Sequence, residues 1–286
     1  MDIIAEGLDF PEGPVVMADG SVIVTEIHAA RVTRCWNGRK EVICETEGGP
    51  NGAAIGPDGA LYLCNNGGLG QTGPGSEGRI ERIDLATGRL ERVCDACEGI
   101  SLEAPNDLVF DADGRLWFTD LGTLQFNEHG IARKEFGGLY GCLADGSAIT
   151  AIRRGTLSYN GIGLSPDSQH IYVADTFLAR VYRYRAEMAA QAPVYVGSGV
   201  GDVSFDSLAV TAAGNICVAT LKTGGITTFS PHGDGVSWHP ISADNTVTNI
   251  AFGGPDMRDA YITLSATGRL VRVPWAEPGL KLAFNG

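Results

Sequence analysis

The chain lacks the sequence features of a membrane protein or a secreted precursor. No apolar run approaches the roughly 20 residues that a spanning helix needs. The start, Met1-Asp2-Ile3-Ile4-Ala5-Glu6, has neither the basic residues nor the long apolar stretch of a signal peptide. Positive charge is scarce as well: 21 Lys and Arg stand against 34 Asp and Glu, a formal charge of −13 over 286 residues. Such an acidic surface repels phosphate backbones and anionic lipid, so neither nucleic acid nor a membrane is expected as a partner. A soluble cytoplasmic protein is the expectation. Helical periodicity is nearly absent, with only Ala186–Gln191 looking briefly helical.

Several catalytic signatures are missing too. His28, His129, His170, His232 and His239 show no HxH or HExxH spacing, and there is no GxSxG elbow. Ser158 and Ser204 therefore read as strand-edge hydroxyls, and His129 is the one histidine placed where substrate could lie. The 7 cysteines are an odd count without framework spacing, which suits small buried apolar residues better than disulfides. Cys94-Asp-Ala-Cys97 has no second CxxC to complete a zinc site. Gly68-Leu-Gly-Gln-Thr-Gly73 fits GxGxxG, but Pro74 follows where a dinucleotide fingerprint must open a helix. It reads as a loop, one placed to roof a channel mouth.

What the chain has in abundance is glycine, 40 residues, and a repeat. Segments opening at Glu12, Asn51, Asn106, Asn160, Asp206 and Asn249 read EGPVVMADGSVIVTE, NGAAIGPDGALYLCN, NDLVFDADGRLWFTD, NGIGLSPDSQHIYVAD, DSLAVTAAGNICVAT and NIAFGGPDMRDAYITL. Each has a polar opening residue and a short apolar strand. A turn position follows at Asp19, Asp58, Asp113, Asp167, Ala213 or Asp256, and then a second apolar run. Four of the five Asp turns continue with Gly or Ser, a strong hairpin signal. Openings spaced by 39, 55, 54, 46 and 43 residues suit four-stranded units with variable loops. Third and fourth strands show in stretches such as GRIERIDLATGRLERV and ARVYRYRA. The pattern predicts an all-β, six-bladed β-propeller, one domain over residues 1–286 without a linker.

In a propeller the innermost strands face a central channel, so the six opening residues should converge at one end of it. Two carboxylates and four amides form an all-oxygen ring, the donor set that hard divalent cations prefer. Asn and Asp also cap strand starts and satisfy backbone groups there, which accounts for some of the positions. It accounts less well for Glu12, a poor turn residue standing in register.

Particular motifs then carry a resemblance. Glu12-Gly-Pro14, Pro105-Asn-Asp107, Gly137-Gly-Leu-Tyr140, Asn160-Gly-x-x-x-Ser-Pro-Asp167, Asp206 and the run Val247–Gly254 follow one another along the chain. In that order the chain resembles the senescence marker protein, gluconolactonase and luciferin-regenerating enzyme family. The resemblance implies a six-bladed propeller holding one divalent metal ion: Ca²⁺ foremost, with Mg²⁺, Mn²⁺ or Zn²⁺ as alternatives. It implies Glu12, Asn160 and Asp206 as metal ligands and Asn106 as a substrate-binding residue. It also implies a metal-dependent lactonase acting on a small-molecule lactone, a carboxylic-ester hydrolase of gluconolactonase type.

On that reading the metal polarises the lactone carbonyl, and Asp206, at the metal edge, activates water. Sugar-lactone members commonly carry an Arg two residues before the Asn of blade three, where this chain has Ala104. Arg133 or Lys134 would have to compensate, or the substrate is less polar than gluconolactone. The alternatives are a hydrolase of a non-sugar ester or lactone, and a non-enzymatic binding propeller with a structural metal. Asp120, Asp175, Trp117 and Phe118 end second strands and read as core and turn groups, with Asp120 a candidate for a second ion.

Overall fold

The computed structural model describes residues 1–68, 75–126, 132–135, 137–155 and 157–284, with the side chains of 124–126 and 132–135 outside the description. Alternating apolar residues and Asp-Gly turns build six four-stranded antiparallel sheets, the blades of a six-bladed β-propeller. Their first strands are Pro11–Val16, Pro50–Ile55, Pro105–Phe110, Tyr159–Leu164, Ser204–Val210 and Val247–Gly253. Each first strand lies against its two neighbours, and the last lies against the first, so the six close around a channel.

The hairpin after each first strand turns the same way in all six blades. The residue following the expected turn position adopts positive φ: Gly20 (80°), Gly59 (78°), Gly114 (78°), Ser168 (56°), Gly214 (90°) and Met257 (59°). Its N–H closes the turn onto the carbonyl three residues earlier, as in Gly20 to Met17 and Gly114 to Asp111. Glycine holds four of the six places because a side chain is disfavoured at that φ.

Ring closure uses the two chain ends differently. Asp2–Ala5 pairs with Arg269–Pro274 and supplies the outer strand of blade six, whose other three strands come from the end of the chain. The following segment crosses the far end of the channel. Gly279 bridges to Thr211, Leu280 and Leu282 line the channel, and the Phe284 ring meets Phe110 edge-on at 6.2 Å.

The core lies between blades, as in the cluster joining Tyr62, Cys64 and Ile80 to Phe110, Phe118 and Tyr140. All seven cysteines are free thiols, six of them buried. Among the described residues no helix is long and apolar enough to cross a membrane. Ala186–Gln191 is not helical. Gln191 closes it as a loop by hydrogen bonds to Arg185, and Met188 packs against the buried cluster of Trp117, Ile171 and their neighbours between blades three and four. That tertiary packing outweighs the short run of helix formers.

Candidate active site

Every first strand carries a register shift near its opening residue. In blade three Pro105 pairs with Asp120 and Leu108 with Phe118, so Asn106 and Asp107 together oppose Thr119. Such a bulge breaks the alternation and re-aims side chains, the usual device next to a functional site. Glu12, Asn51, Asn106, Asn160 and Asp206 occupy equivalent places. Blade six differs from the sequence alignment by one residue. Val247 pairs with Leu264 and Ile250 with Ile262, which puts Thr248 in the opening slot and Asn249 one step further on. The register shift against the partner strand falls at Thr248 there, and the ladder resumes at Asn249.

The slot after the opening residue holds Gly13, Gly52, Asp107, Gly161, Ser207 and Asn249. Glycine is required where a neighbouring strand presses in. A Cβ at Gly13 would lie 2.4 Å from the Asn51 carbonyl, and one at Gly161 would lie 2.7 Å from the Asp206 carbonyl. At Gly52 the obstacle is Asp107 itself, whose Oδ1 would be 2.2 Å away. Asp107 and Ser207 are functional candidates that the sequence reading missed. Their signal was a side chain in a slot where three of six blades have glycine.

The structure brings Glu12, Asn160 and Asp206 together. Glu12 Oε2 accepts from Asn249 Nδ2 at 2.8 Å and from the Gly13 N–H at 3.0 Å. Asp206 receives a hydrogen bond from Asn160, and Ser207 Oγ donates to Asn160 Oδ1 at 3.4 Å. Asp107 Oδ1 accepts the Leu108 N–H at 2.9 Å, and Ser207 and the Ile162 N–H reach the same carboxylate.

Burial raises all three acids. Glu12 is pushed up to about 6 by desolvation against its hydrogen bonds. Asp107 rises to about 8 through desolvation and then the charge of Glu12. Asp206 stands well above the usual carboxylate range through desolvation, then the charges of Glu12 and Asp107. Of the three, Asp206 alone keeps part of its surface open.

The amides complete the picture. Among the described residues five buried side-chain polar atoms have no hydrogen-bond partner, and Asn51 Oδ1 and Asn106 Oδ1 are two of them. Orphaned amide oxygens beside mutually repelling carboxylates are what an oxygen-seeking cation relieves, so the residues fit a hard divalent ion. No group of three or more His, Cys, Asp or Glu among the described residues is arranged for a metal, so any such ion relies on the amides. Below the ring the channel is a cavity of about 80 Å³, lined by Asp107 with Leu108, Ile162, Leu208, Ile250 and Leu280.

Second-strand ends hold the loops that lead into these strands. Asp120 Oδ1 accepts the N–H groups of Ala104 and Gly122, both at 2.8 Å, and Oδ2 accepts that of Glu103 at 2.9 Å. Glu26, Asn65 and Asp175 do the same for Asp9, Gly49 and Ser158. These backbone donors occupy both Asp120 oxygens, which makes it a loop anchor rather than a second ion site. Ala104 is buried, its N–H given to Asp120. Arg133 and Lys134 lie on a hairpin, Thr123–Phe126 with Ala132–Glu135, that rises from the ring end of blade three. Their side chains, His129 and most of the Gly68–Gly73 loop lie outside the described residues.

The fold and the site together are those of a six-bladed propeller with an oxygen-rich polar ring at one end of its channel. Residues 10–266 match the SMP-30/Gluconolactonase/LRE-like region, and the chain belongs to that family. It is similar to the gluconolactonase of Zymomonas mobilis, 25% identical over 302 residues, covering 96% of this chain and 80% of that one. It is similar to lactonase drp35 of Staphylococcus aureus, 25% identical, covering 80% of this chain and 67% of that one. Among solved structures, the calcium-binding protein regucalcin of Agrobacterium tumefaciens superposes with a TM-score of 0.75 at 20% identity. That match covers 98% of this chain and 97% of the other.

Proposed function

We propose that this protein is a divalent-cation-dependent lactonase whose site is the ring of Glu12, Asn106, Asn160 and Asp206. The observation that carries the reading is the pairing of two mutually repelling carboxylates, Glu12 and Asp206, with the orphaned amide oxygens of Asn51 and Asn106. Relatives named gluconolactonase and lactonase support a lactone as substrate, and the calcium-binding neighbour supports Ca²⁺ as the ion.

When bound, the cation supplies Lewis acidity to an ester carbonyl. The chain's own residues do the rest. Glu12, held by Asn249 and the Gly13 N–H, serves as a fixed ligand, and Asn160 is the second. Asn106 offers an unpaired amide to orient the substrate. Asp206, partly open to solvent, takes a proton from the attacking water as its oxygen bonds to the acyl carbon. The ring C–O bond then breaks, and the proton passes to the departing oxygen, giving a hydroxy acid. Ala104, where sugar-binding relatives carry Arg, supports a substrate less polar than an aldonolactone. A cation that only pinned the blades together would need no opening, and the open face of Asp206 speaks for catalysis.

The test is a lactone panel with a pH-indicator readout, run before and after EDTA and again with defined metals added back. Loss on chelation and recovery with Ca²⁺ is expected. Unchanged hydrolysis after verified metal removal would sink the cation-dependent mechanism. No turnover of any lactone with metal present would favour the binding-module reading.

A further inference from the structure

We infer that Thr119 is a positioning residue that sets the spacing between the substrate residue Asn106 and the cation ligand Asn160, an inference resting on the function proposed above. Thr119 lies on the second strand of blade three and is fully buried. Its Oγ1 accepts the Asp107 N–H at 3.1 Å and donates to the backbone carbonyl of Asn160 in the next blade. One hydroxyl thus joins the bulge that carries Asn106 to the bulge that carries Asn160.

The same ladder position differs from blade to blade. Thr25 donates to the Asn51 carbonyl at 2.7 Å, the one close counterpart. Cys64 and Ala174 stand there in blades two and four, and neither brings a hydroxyl. Ala219 holds that place in blade five, opposite Asp206 and Ser207, and likewise brings no hydroxyl. The strands bearing Asn106 and Asp206 therefore have no hydroxyl tether at this position, while the strand bearing Asn160 does.

That strand also has little freedom on its other side. A Cβ at Gly161 would come within 2.6 Å of the Leu208 N, so the bulge is pressed between blade five and the Thr119 hydroxyl. Asn160 must present its amide at a fixed place, since it bonds to Asp206 and receives Ser207. Without the Thr119 hydroxyl, a buried carbonyl loses its donor, and the bulge can satisfy it only by turning. Groups that orient a ligand typically cost 10–100-fold in metal affinity when removed.

The experiment is a calorimetric calcium titration of the full chain for wild type, Thr119→Val, Thr119→Ser and Thr25→Val, with kcat and KM on the lactone turned over by wild type. Thr119→Val should lose calcium affinity on the order of tenfold or more. Thr119→Ser, which keeps the hydroxyl, should stay within about threefold, and Thr25→Val should lose less than Thr119→Val. If Thr119→Val does not fold, Thr119→Cys replaces it, because blade two already carries cysteine in this slot, and the same loss is expected.

Calcium affinity within about twofold of wild type for the Val or Cys variant, even with a lowered Tm, overturns the inference and leaves a structural hydrogen bond. Equal losses for Thr119→Val and Thr25→Val overturn it as well. A wild type that binds no calcium overturns the proposed function itself, a result distinct from either.

Discussion

Asn249 donates its side-chain N–H to Glu12 Oε2 at 2.8 Å, across the seam where the last blade meets the first. The Gly13 N–H reaches the same oxygen, and Thr248 lies against the carboxylate, so Glu12 is oriented before any ligand arrives. Glu12→Gln keeps an oxygen but removes one of the ring's two charges. It should weaken calcium binding on the order of tenfold or more, whereas Asn51→Ala should cost only a few-fold. A calcium titration of both variants decides, and equal losses would mean that the ring is not the site.

Protonation supplies an independent check. The folded pKa of Glu12 is raised to about 6 and that of Asp107 to about 8, both above the unfolded values. A raised carboxyl contributes stability that is full below its unfolded pKa and is lost as pH rises through the folded one. The cation-free protein should therefore lose Tm between about pH 5 and pH 8, and saturating Ca²⁺ should oppose that loss. Calcium affinity should also rise through pH 6, because below it a proton must be displaced from Glu12. Scanning calorimetry with EDTA and with Ca²⁺ at several pH values tests both, and a pH-independent affinity contradicts the assignment of Glu12.

Asp206 is expected to act as base as well as ligand. Asp206→Asn retains an oxygen able to coordinate but cannot accept a proton. At saturating calcium its occupancy should survive while kcat falls by about 10²–10⁴, the usual worth of a positioned base. Asn106→Ala should act mainly on KM. The measurement is kcat across a calcium titration with occupancy followed separately, and full recovery of rate would leave Asp206 as a ligand alone.

Asp120 is expected to matter for stability and not for ion binding. Asp120→Asn sets an amide N–H₂ against at least one of the three backbone donors that its carboxylate accepts. The cost should be about 1–3 kcal/mol, the penalty of an unmet buried group, seen as a Tm lowered by several degrees. The calcium stoichiometry should not change. A lost ion in the same titration would restore the second-site reading.

The repeat was legible because its signals are local. A turn at Asp19 or Asp113, glycine at the following positive φ, and alternation on either side need only neighbours in the chain. The polar residue opening each first strand could be counted in the same way, and five of the six fall in the slot expected of them. Tertiary structure alone decided the rest. Thr248 rather than Asn249 takes the sixth slot because a register shift depends on the partner strand, not on the segment that contains it. Asp2–Ala5 completes blade six because the ring must close, and a closure 270 residues apart, as between Asp2 and Arg272, leaves no local trace. Asp107 joins the site because a bulge points two consecutive side chains away from their alternating faces, into space that Gly52 leaves open. Its raised pKa comes from burial and then the charge of Glu12, and that of Glu12 from burial, in a place that only the closed ring makes.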